Sequence, residues 1–341
     1  MRNGYNQGKM TKKEQNLSTD IFTEKVERIP TRNGYGEGLV LAGEKDERVV
    51  ALCADLTEST RTQEFKDNFS ERFVEIGVAE QLLATVASGM ANYGKIPFIA
   101  SYAAFSPGRN WEQIRTTIAL NDVPVKIAGA HAGISVGPDG ATHQALEDIA
   151  TMRSMPNMIV VYPCDAIEAR KATAAAAVNG KPTYLRFARE KTPVVTTDNT
   201  PFAIGKAEVF WEEKDPQVAI VAAGPLVYEA LVAANELSKS KISSVVINSH
   251  TIKPLDERTI IKYAKLAGCV VTVEEHQITG GLGGAVAETL AKNFPVPMEF
   301  IGVADRYGES GEPEELLAKF GLKAKDIVAA TKRAIKRKNG E

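Results

Sequence analysis

Cysteine, histidine and tryptophan are scarce in this chain of 341 residues, which contains three, four and two of them. The cysteines, Cys53, Cys164 and Cys269, lie far apart and lack the spacing of a metal motif. An odd number of scattered thiols argues against a disulfide framework and predicts a reducing, cytoplasmic location.

The chain also lacks an excess of basic residues and a long apolar run. Its formal net charge of −2 argues against a nucleic-acid partner. The most apolar window, residues 218–234, is split by Gly224 and Pro225 and carries Glu229, so no membrane span is expected. The first residues are polar and have no apolar signal core, which predicts a disordered or loosely docked tail over residues 1–19.

The whole chain is 44% hydrophobic and 25% charged, which is typical of a soluble globular protein, and its length allows two domains. From residue 20 to 192, short apolar runs alternate with amphipathic or small-residue stretches. Such a pattern indicates a parallel sheet covered by helices on both faces. The predicted strands are 48–55, 72–77, 96–101, 123–130, 157–163 and 182–188, and the helical stretches between them include 78–93, 109–121 and 164–178.

A second α/β unit over residues 206–341 follows a stretch rich in Pro and Thr, for which we predict a linker over 193–205. The fold class is therefore α/β, with two doubly wound domains: a parallel-sheet domain over 20–192 and a smaller mixed-sheet domain after the linker. In the second unit the predicted strands are 217–224, 242–249, 269–276 and 296–303, and the predicted helices include 225–239, 256–267 and an amphipathic terminal helix within 323–341.

Titratable and aromatic residues collect in three loops that follow predicted strands. Because ligands of a doubly wound sheet bind at the carboxyl ends of its strands, these loops are candidates for a site. They are 53–60 with Asp55 and Ser59, 101–113 with Tyr102 and Phe105, and 131–148 with His131, Asp139 and His143.

Glu80 lies in the first turn of the helix that follows the strand at 72–77. The helix macrodipole alone favours a carboxylate there, by roughly 0.3–1 kcal/mol. GGLGG at 280–284 is only a weak dinucleotide signal, and we assign no cofactor to it, to His250 or to His276.

Several of these stretches resemble one enzyme family. FVEIGVAEQ (73–81), GKIPFIASYAAF (94–105) and HAGISVGPDGATHQALEDIATMRSMPNMIVVYPCD (131–165) resemble the pyrimidine-binding domain of transketolases. VEEHQITGGLGGAVAE (273–288) resembles their C-terminal domain. The similarity extends from about residue 20 to 335, with the motifs in the expected order.

Full-length transketolases begin with a pyrophosphate-binding domain, whose GDG motif helps to hold the metal and the diphosphate. This sequence contains no GDG. The resemblance therefore implies the C-terminal subunit of a split transketolase, with thiamine diphosphate as cofactor and Mg²⁺ held by a separate N-terminal subunit. Self-association through both domains would then give an α2β2 heterotetramer.

The resemblance implies roles for the cofactor-facing residues. Glu80 matches the glutamate that hydrogen-bonds N1′ of the cofactor's aminopyrimidine ring and shares a proton with it. Tyr102 and Phe105 match positions that stack on that ring, and Asp55 matches a residue near the thiazolium. Gly108 stands where many transketolases have a further aromatic residue.

The resemblance also implies roles toward the substrate. His143 and Asp139 match residues that meet the hydroxyls near the ketose carbonyl, while His131 reaches toward the sugar chain and phosphate. Glu80, His143 and His131 are therefore the predicted catalytic residues.

Three further positions match residues that bind the sugar phosphate. They are Arg32, Ser59 and Arg189; an arginine fork suits the geometry of a phosphate, and a hydroxyl adds a neutral donor. Arg186 lies three residues before Arg189 on the same predicted strand, so the sequence leaves open which of the two is the ligand.

The implied reaction belongs to the pentose phosphate pathway. It transfers a two-carbon ketol unit from a ketose phosphate such as xylulose 5-phosphate to an aldose phosphate such as ribose 5-phosphate or erythrose 4-phosphate. A 1-deoxyxylulose 5-phosphate synthase shares the DG-THQ loop, but its members usually carry arginine at the position of His131. Beta subunits of 2-oxo-acid dehydrogenases lack the GPDGATHQ pattern. A partner-binding chain without catalysis would be expected to lack Glu80 or His143, and both are present.

Overall fold

Two sheets, one of seven strands and one of five, organise the computed structural model, which describes residues 16–341. The strands are β1 (Arg28–Pro30), β2 (Val49–Cys53), β3 (Phe73–Glu75), β4 (Ile96–Tyr102), β5 (Lys126–Ala130), β6 (Ile159–Val161), β7 (Thr183–Arg186), β8 (Lys191–Pro193), β9 (Glu208–Glu212), β10 (Val218–Ala222), β11 (Ser244–Asn248), β12 (Thr251–Lys253), β13 (Val270–Gln277) and β14 (Met298–Val303). The helices are α1 (Thr31–Lys45), α2 (Gln63–Asn68), α3 (Glu80–Asn92), α4 (Trp111–Gln113), α5 (Asp148–Arg153), α6 (Ala166–Val178), α7 (Val227–Lys239), α8 (Glu257–Ala267), α9 (Leu282–Asn293), α10 (Pro313–Lys319) and α11 (Ala324–Asn339).

The seven-stranded sheet has the order β12-β6-β7-β5-β4-β2-β3, and each neighbouring pair except β12–β6 is parallel. Side chains alternate between its two faces, and both faces are buried. In β2, Val50 and Leu52 join a core with Leu83 of α3, whereas Ala51 joins another with Leu39 of α1. The predicted apolar runs thus become central strands between two helical layers.

The five-stranded sheet has the order β14-β13-β10-β11-β9, with only β9 antiparallel to its neighbour. On one face, Ile220 joins a core with Leu231 of α7 and Ile327 of α11. On the other, Val221 joins Ile260 of α8 in a core that continues into the first domain. The second domain is therefore packed directly on the first.

The carboxyl ends of the strands of the second sheet lie against the first domain, and we call these strand ends the docked edge. Four hydrogen bonds cross the boundary, at the ends of β11 and β13 and in the segments that follow β10 and β14. These bonds are Gly224 N to Tyr162 O (3.2 Å), Asn248 Nδ2 to Glu168 Oε1 (2.7 Å), Gln277 N to Leu146 O (2.8 Å) and Gln144 Nε2 to Glu309 O (2.9 Å).

Short strands account for most of the difference from the predicted elements. β12 belongs to the second half of the sequence, yet it pairs antiparallel with β6 at the edge of the first sheet. Sequence analysis misses β1, β8 and β12, whose three residues are too few to show a period, and it also misses the five-residue strand β9. β8 ends at Pro193, where the linker was predicted to begin.

Two further segments differ from the prediction. Residues 16–19 are bound to the domain: Leu17 is buried, and Ser18 N donates to Val195 O at 2.9 Å. The rest of the predicted tail, residues 1–15, lies outside the described residues. The helix predicted over 109–121 is the single turn α4, which continues as a wider π turn over Ile114–Ala119. Within residues 16–341, no helix combines the length and apolarity that crossing a membrane requires.

Candidate active site

The carboxyl ends of the strands of the first sheet gather the predicted site residues, and we call these strand ends the site edge. Parallel strands present their carboxyl ends on one side of a sheet, so residues distant in sequence meet there. Asp55 and Ser59 follow β2, Glu80 follows β3, Tyr102 ends β4, His131 follows β5, and Arg189 follows β7.

Glu80 is the first residue of α3, and only 2% of its surface is exposed. The one side-chain partner of its carboxyl within residues 16–341 is Arg109, whose Nη1 donates to Oε2 at 2.7 Å. Asn110 Nδ2 donates to the backbone oxygen of Glu80 at 2.9 Å and so fixes the helix start. No backbone N–H of the described chain donates to the carboxyl, so Glu80 does not have the capping role that its position suggests.

Four rings from the second and third loops form a continuous aromatic wall. Tyr102 and Phe105 are stacked with centroids 5.9 Å apart. His131 stacks on Tyr102 at 3.9 Å, and His143 meets Phe105 edge-on at 5.4 Å. Gly108 leaves no room for a further ring in this backbone, because a Cβ there would lie 2.1 Å from the carbonyl oxygen of Ala104.

His131 is the buried member of this wall. Burial, together with the charges of Arg32 and Arg189, lowers the pKa of His131 to about 3. The ring is therefore neutral at pH 7 and acts there as a hydrogen-bonding group. Its Nε2 lies 3.4 Å from Arg32 Nη1, and its Nδ1 is buried without a partner in the described part of the chain.

Two arginines, Arg32 and Arg189, lie near His131, and a third, Arg61, lies near Arg32. Burial lowers the pKa of Arg32, and the nearby charges of Arg61 and Arg189 lower it further. Arg32 Nε is buried and lacks a hydrogen-bond partner in residues 16–341. Ser59 contributes its backbone oxygen, which accepts from Arg32 Nη1 at 2.7 Å. Clustered guanidinium groups with an unused N–H favour an anion.

The loop at 131–148 joins the aromatic wall to this arginine cluster. His143 Nδ1 lies 2.9 Å from Thr142 Oγ1, and His143 Nε2 has no hydrogen-bond partner among residues 16–341. The exposed Asp139 carboxylate lies 4.0 Å from Arg189 Nη1, which also donates to Val136 O at 2.8 Å. Asp139, His143 and Arg189 are thus brought to one side of the site.

Asp55 is less closely joined to the other residues. It adopts a left-handed backbone conformation, with φ 56°, and its N–H donates to Glu75 Oε1 at 2.8 Å. Its side chain is exposed and has no hydrogen-bond or ion-pair partner in the described chain. The structure therefore places Asp55 at the site edge without a contact to the aromatic wall.

Arg186 and Arg189, which the sequence leaves as alternatives, differ sharply in their surroundings. Arg186 is fully buried, and its Nε donates to Asp148 Oδ2 at 2.8 Å. Burial alone would raise the pKa of Asp148, but Arg186 holds it below its ordinary value. Arg189 is about one third exposed beside Asp139. Arg186 is committed to a buried ion pair, and Arg189 is the one available to a ligand.

The glycine cluster at 280–284 leads into α9 at the docked edge. There Glu274 accepts the N–H groups of Leu282 and Gly283 at 2.7 and 2.8 Å, and burial raises its pKa to about 7. His250 and His276 are buried in the second domain, and burial lowers their pKa values to about 3 and about 4. These groups serve the packing of the second domain on the first.

Arg109, Arg61 and Thr142 were missed by sequence reasoning, because single polar residues in turns carry no periodic signal. The pyrimidine end of the implied cofactor fits this site, since Arg109 joins a buried carboxyl, without backbone partners in the described chain, to the Phe105 ring that stacks on Tyr102. For the implied metal, residues 16–341 contain no cluster of three or more His, Cys, Asp or Glu side chains that could hold an ion.

Comparison with known proteins gives the same assignment for both domains. Residues 27–194 match the transketolase pyrimidine-binding domain, and residues 205–327 match the transketolase C-terminal domain. Among solved structures, a split-gene transketolase described as an inactive beta4 tetramer is similar with a TM-score of 0.85 and 43% identity, covering 91% of this chain and 99% of that one. This likeness confirms the predicted α/β class with two domains.

Two relatives match almost the whole chain. The putative transketolase C-terminal section of Methanocaldococcus jannaschii is 44% identical, over 87% of this chain and 93% of that protein. The 6-deoxy-6-sulfo-D-fructose transketolase subunit SqwH of a Clostridium species is 39% identical, over 93% of this chain and 98% of that subunit. The chain belongs to the transketolase family, and it corresponds to that family's pyrimidine-binding and C-terminal domains.

Proposed function

We propose that this chain is the C-terminal subunit of a thiamine-diphosphate-dependent transketolase. The enzyme transfers a two-carbon ketol unit from a ketose phosphate, such as xylulose 5-phosphate, to an aldose phosphate, such as ribose 5-phosphate or erythrose 4-phosphate. The observation that carries the proposal is the buried Glu80 carboxyl, which Arg109 joins to the stacked rings of Phe105 and Tyr102. A structural carboxyl at a helix start would accept backbone N–H groups, and this one accepts none from residues 16–341.

Thiamine diphosphate, when bound, supplies the electron sink that allows the C2–C3 bond of the ketose to break. In our proposal, Glu80 holds a proton at N1′ of the aminopyrimidine ring. Tyr102 and Phe105 stack on that ring and exclude water from it. Asp55 belongs to the same half of the site, near the thiazolium.

The substrate meets the other half of the site. Arg32, Arg189 and the hydroxyl of Ser59 bind its phosphate, and neutral His131 hydrogen-bonds the sugar chain. His143, through its unpartnered Nε2, bonds a hydroxyl near the carbonyl and moves its proton, with Asp139 as the second contact. Fixing the reacting groups in this way supplies much of the rate enhancement of a group transfer.

We further infer that a separate N-terminal subunit supplies the pyrophosphate-binding domain and holds Mg²⁺. The similar split-gene transketolase is described as an inactive beta4 tetramer, which supports the idea that this kind of chain is incomplete by itself. Two copies of each chain would then form an α2β2 enzyme. Three free, buried cysteines agree with an enzyme of the cytoplasm.

The test is turnover of xylulose 5-phosphate with ribose 5-phosphate in the presence of thiamine diphosphate and Mg²⁺. The chain is assayed alone and mixed with the GDG-bearing chain of the same cell. Activity only in the mixture supports the proposal, and full activity from this chain alone contradicts the inferred partner. If the mixture does not turn over these sugars but condenses pyruvate with glyceraldehyde 3-phosphate, the enzyme is a 1-deoxyxylulose 5-phosphate synthase and the transketolase proposal is wrong.

One comparison favours a second candidate donor. A relative that shares 39% of its residues is named for 6-deoxy-6-sulfo-D-fructose. Clustered guanidinium groups accept a sulfonate as well as a phosphate, because both present three oxygens and a negative charge. The ratio of kcat/KM for 6-deoxy-6-sulfo-D-fructose and xylulose 5-phosphate, measured with the same mixture, decides between the two donors.

A further inference from the structure

Arg109 contacts both groups that the pyrimidine ring would use. Its Nη1 donates to Glu80 Oε2 at 2.7 Å, and its guanidinium carbon lies 5.0 Å from the centre of the Phe105 ring. A flat cation therefore lies on the aromatic face and bonds the carboxyl, as an aminopyrimidine ring would. The sequence gives no hint of this contact, and the proposed roles do not use it.

The backbone around Arg109 is held, while its side chain can move. Arg109 N donates to Phe105 O at 2.8 Å, and the next residue, Asn110, is buried and bonded to Glu80 and Ser106. The side chain of Arg109 is 50% exposed, in contrast to 2% for that of Glu80. Arg109 can thus turn toward solvent by side-chain rotation alone.

We propose that Arg109 is a placeholder for the cofactor: it pairs with Glu80 in the free chain and leaves when the pyrimidine ring enters. This inference rests on the proposed function. Arg109 is a residue that controls access to Glu80 and has no direct part in the transfer reaction.

The exchange changes the protonation of the site. The ion pair contains ionised Glu80, whereas a proton shared with N1′ requires a protonated carboxyl. Removing the cation from a buried carboxylate is strongly unfavourable unless a proton replaces it. Binding therefore takes up one proton from solvent, which ends between Glu80 and N1′, while Arg109 keeps its own charge.

Two other titratable groups belong to the elements around Glu80. Glu75, at the end of β3, is occupied by the N–H groups of Asp55 and Gly77, each at 2.8 Å. His143 meets the Phe105 ring edge-on. Within residues 16–341 neither is hydrogen-bonded to Glu80, so Arg109 is the charged group in direct contact with its carboxyl.

The test is calorimetry of thiamine diphosphate with Mg²⁺ binding to the assembled two-chain enzyme at pH 7. Repeating it in buffers of different ionisation enthalpy counts the protons taken up. The variant Arg109→Met keeps the apolar stem and removes the charge. The matched control is Arg115→Met, an exposed arginine in the π turn that follows.

We expect an uptake of about one proton in the wild type and in the control, and less than half of that in Arg109→Met. The cofactor should bind the variant about two- to fivefold more tightly, the factor that a half-exposed ion pair of up to about 1 kcal/mol represents. Arg109→Lys, which restores a cation, should restore the uptake. Equal proton uptake in the wild type and in Arg109→Met overturns the placeholder role of Arg109 and does not affect the proposed function. Absence of any cofactor binding to the wild-type mixture overturns both.

Discussion

Buried carboxylates lie at the site edge and at the docked edge, and Glu80 differs from Glu274 and Glu168 in what satisfies its oxygens. At the docked edge, Glu274 accepts two backbone N–H groups, and Glu168, which α6 of the first domain places against this edge, accepts one from Cys164 as well as the Asn248 amide. At the site edge, Glu80 accepts no backbone N–H group of the described chain and one bond from a half-exposed arginine.

This difference separates structural acids from an acid that is available for chemistry. A buried carboxylate tied to fixed N–H groups cannot accept another partner without losing those bonds. A carboxylate held only by a movable side chain can exchange that partner for a ligand. The number of fixed partners is therefore more informative about function than burial alone.

The largest expected effect is that of Glu80→Gln at the site edge. The amide cannot share a proton with N1′, so kcat of the assembled enzyme should fall by about 10²–10⁴-fold, the range for general acid–base groups. Steady-state turnover of xylulose 5-phosphate with ribose 5-phosphate measures it. Glu112→Gln, at an exposed position in α4, is the control and should keep full activity. A variant at position 80 that retained a tenth of the activity would contradict the role of Glu80.

The two arginines near the end of β7 should separate stability from binding. Arg186→Met leaves Asp148 buried without its cation and should lower the free energy of unfolding by about 3–5 kcal/mol. Arg189→Met should change it by less than about 0.5 kcal/mol and instead raise KM for the sugar phosphate. Urea unfolding of the chain and kinetics of the mixture give both quantities. An unchanged KM for Arg189→Met would remove Arg189 from the phosphate site.

A smaller effect is expected where the docked edge meets the first domain at Gly224. This residue has φ +67°, and a Cβ would lie 2.1 Å from the ring of Tyr162. Gly224→Ala should therefore lower the free energy of unfolding by about 1–3 kcal/mol. Gly89→Ala, in α3 where nothing lies within 4 Å of the new Cβ, should stabilise by about 0.4–1 kcal/mol. Urea unfolding should show changes of opposite sign in the free energy of unfolding of the two variants. A lower free energy of unfolding in both would contradict the steric argument.

The smallest effect concerns acid sensitivity. Burial lowers the pKa of His250 to about 3, below the unfolded value of about 6.5. Its contribution to stability is thus complete above pH 6.5 and is lost as the pH falls toward 3. His250→Gln should reduce the slope of the free energy of unfolding against pH in that range by the contribution of about one bound proton. It should not change kcat/KM.

His131, whose pKa burial also lowers to about 3, provides the comparison at the site edge. His131→Gln should flatten the same slope and also lower kcat/KM of the mixture. Urea unfolding at pH 7.5, 6 and 5 measures the slopes. If His250→Gln lowered kcat/KM as much as His131→Gln, the division between the two edges would not hold.

Sequence patterns predict the central strands of the first sheet, but they do not predict which of two neighbouring side chains is available to a ligand. β2, β4 and β5 are predicted because an apolar run of five to seven residues has few other solutions in a doubly wound sheet. The sequence alone leaves Arg186 and Arg189 undecided, because Arg186 lies in β7, which is buried on both faces, and Arg189 follows β7, where strand alternation no longer predicts which side chain is exposed.

The deciding contacts are long-range. Asp148, 38 residues before Arg186, binds it, and Arg109, 29 residues after Glu80, pairs with that carboxyl. Neither separation along the chain corresponds to a helix or strand period or to a motif. The sequence alone therefore does not predict either contact.

β12 also limits how this chain can be divided for expression. It pairs with β6, the strand that would otherwise form the outer margin of the first sheet. A fragment ending at residue 205 would leave the N–H and C=O groups of Ile159–Val161 open on that side, and exposed sheet margins of this kind recruit strands from other molecules. Such a fragment should aggregate, even though it would contain every residue of the proposed site.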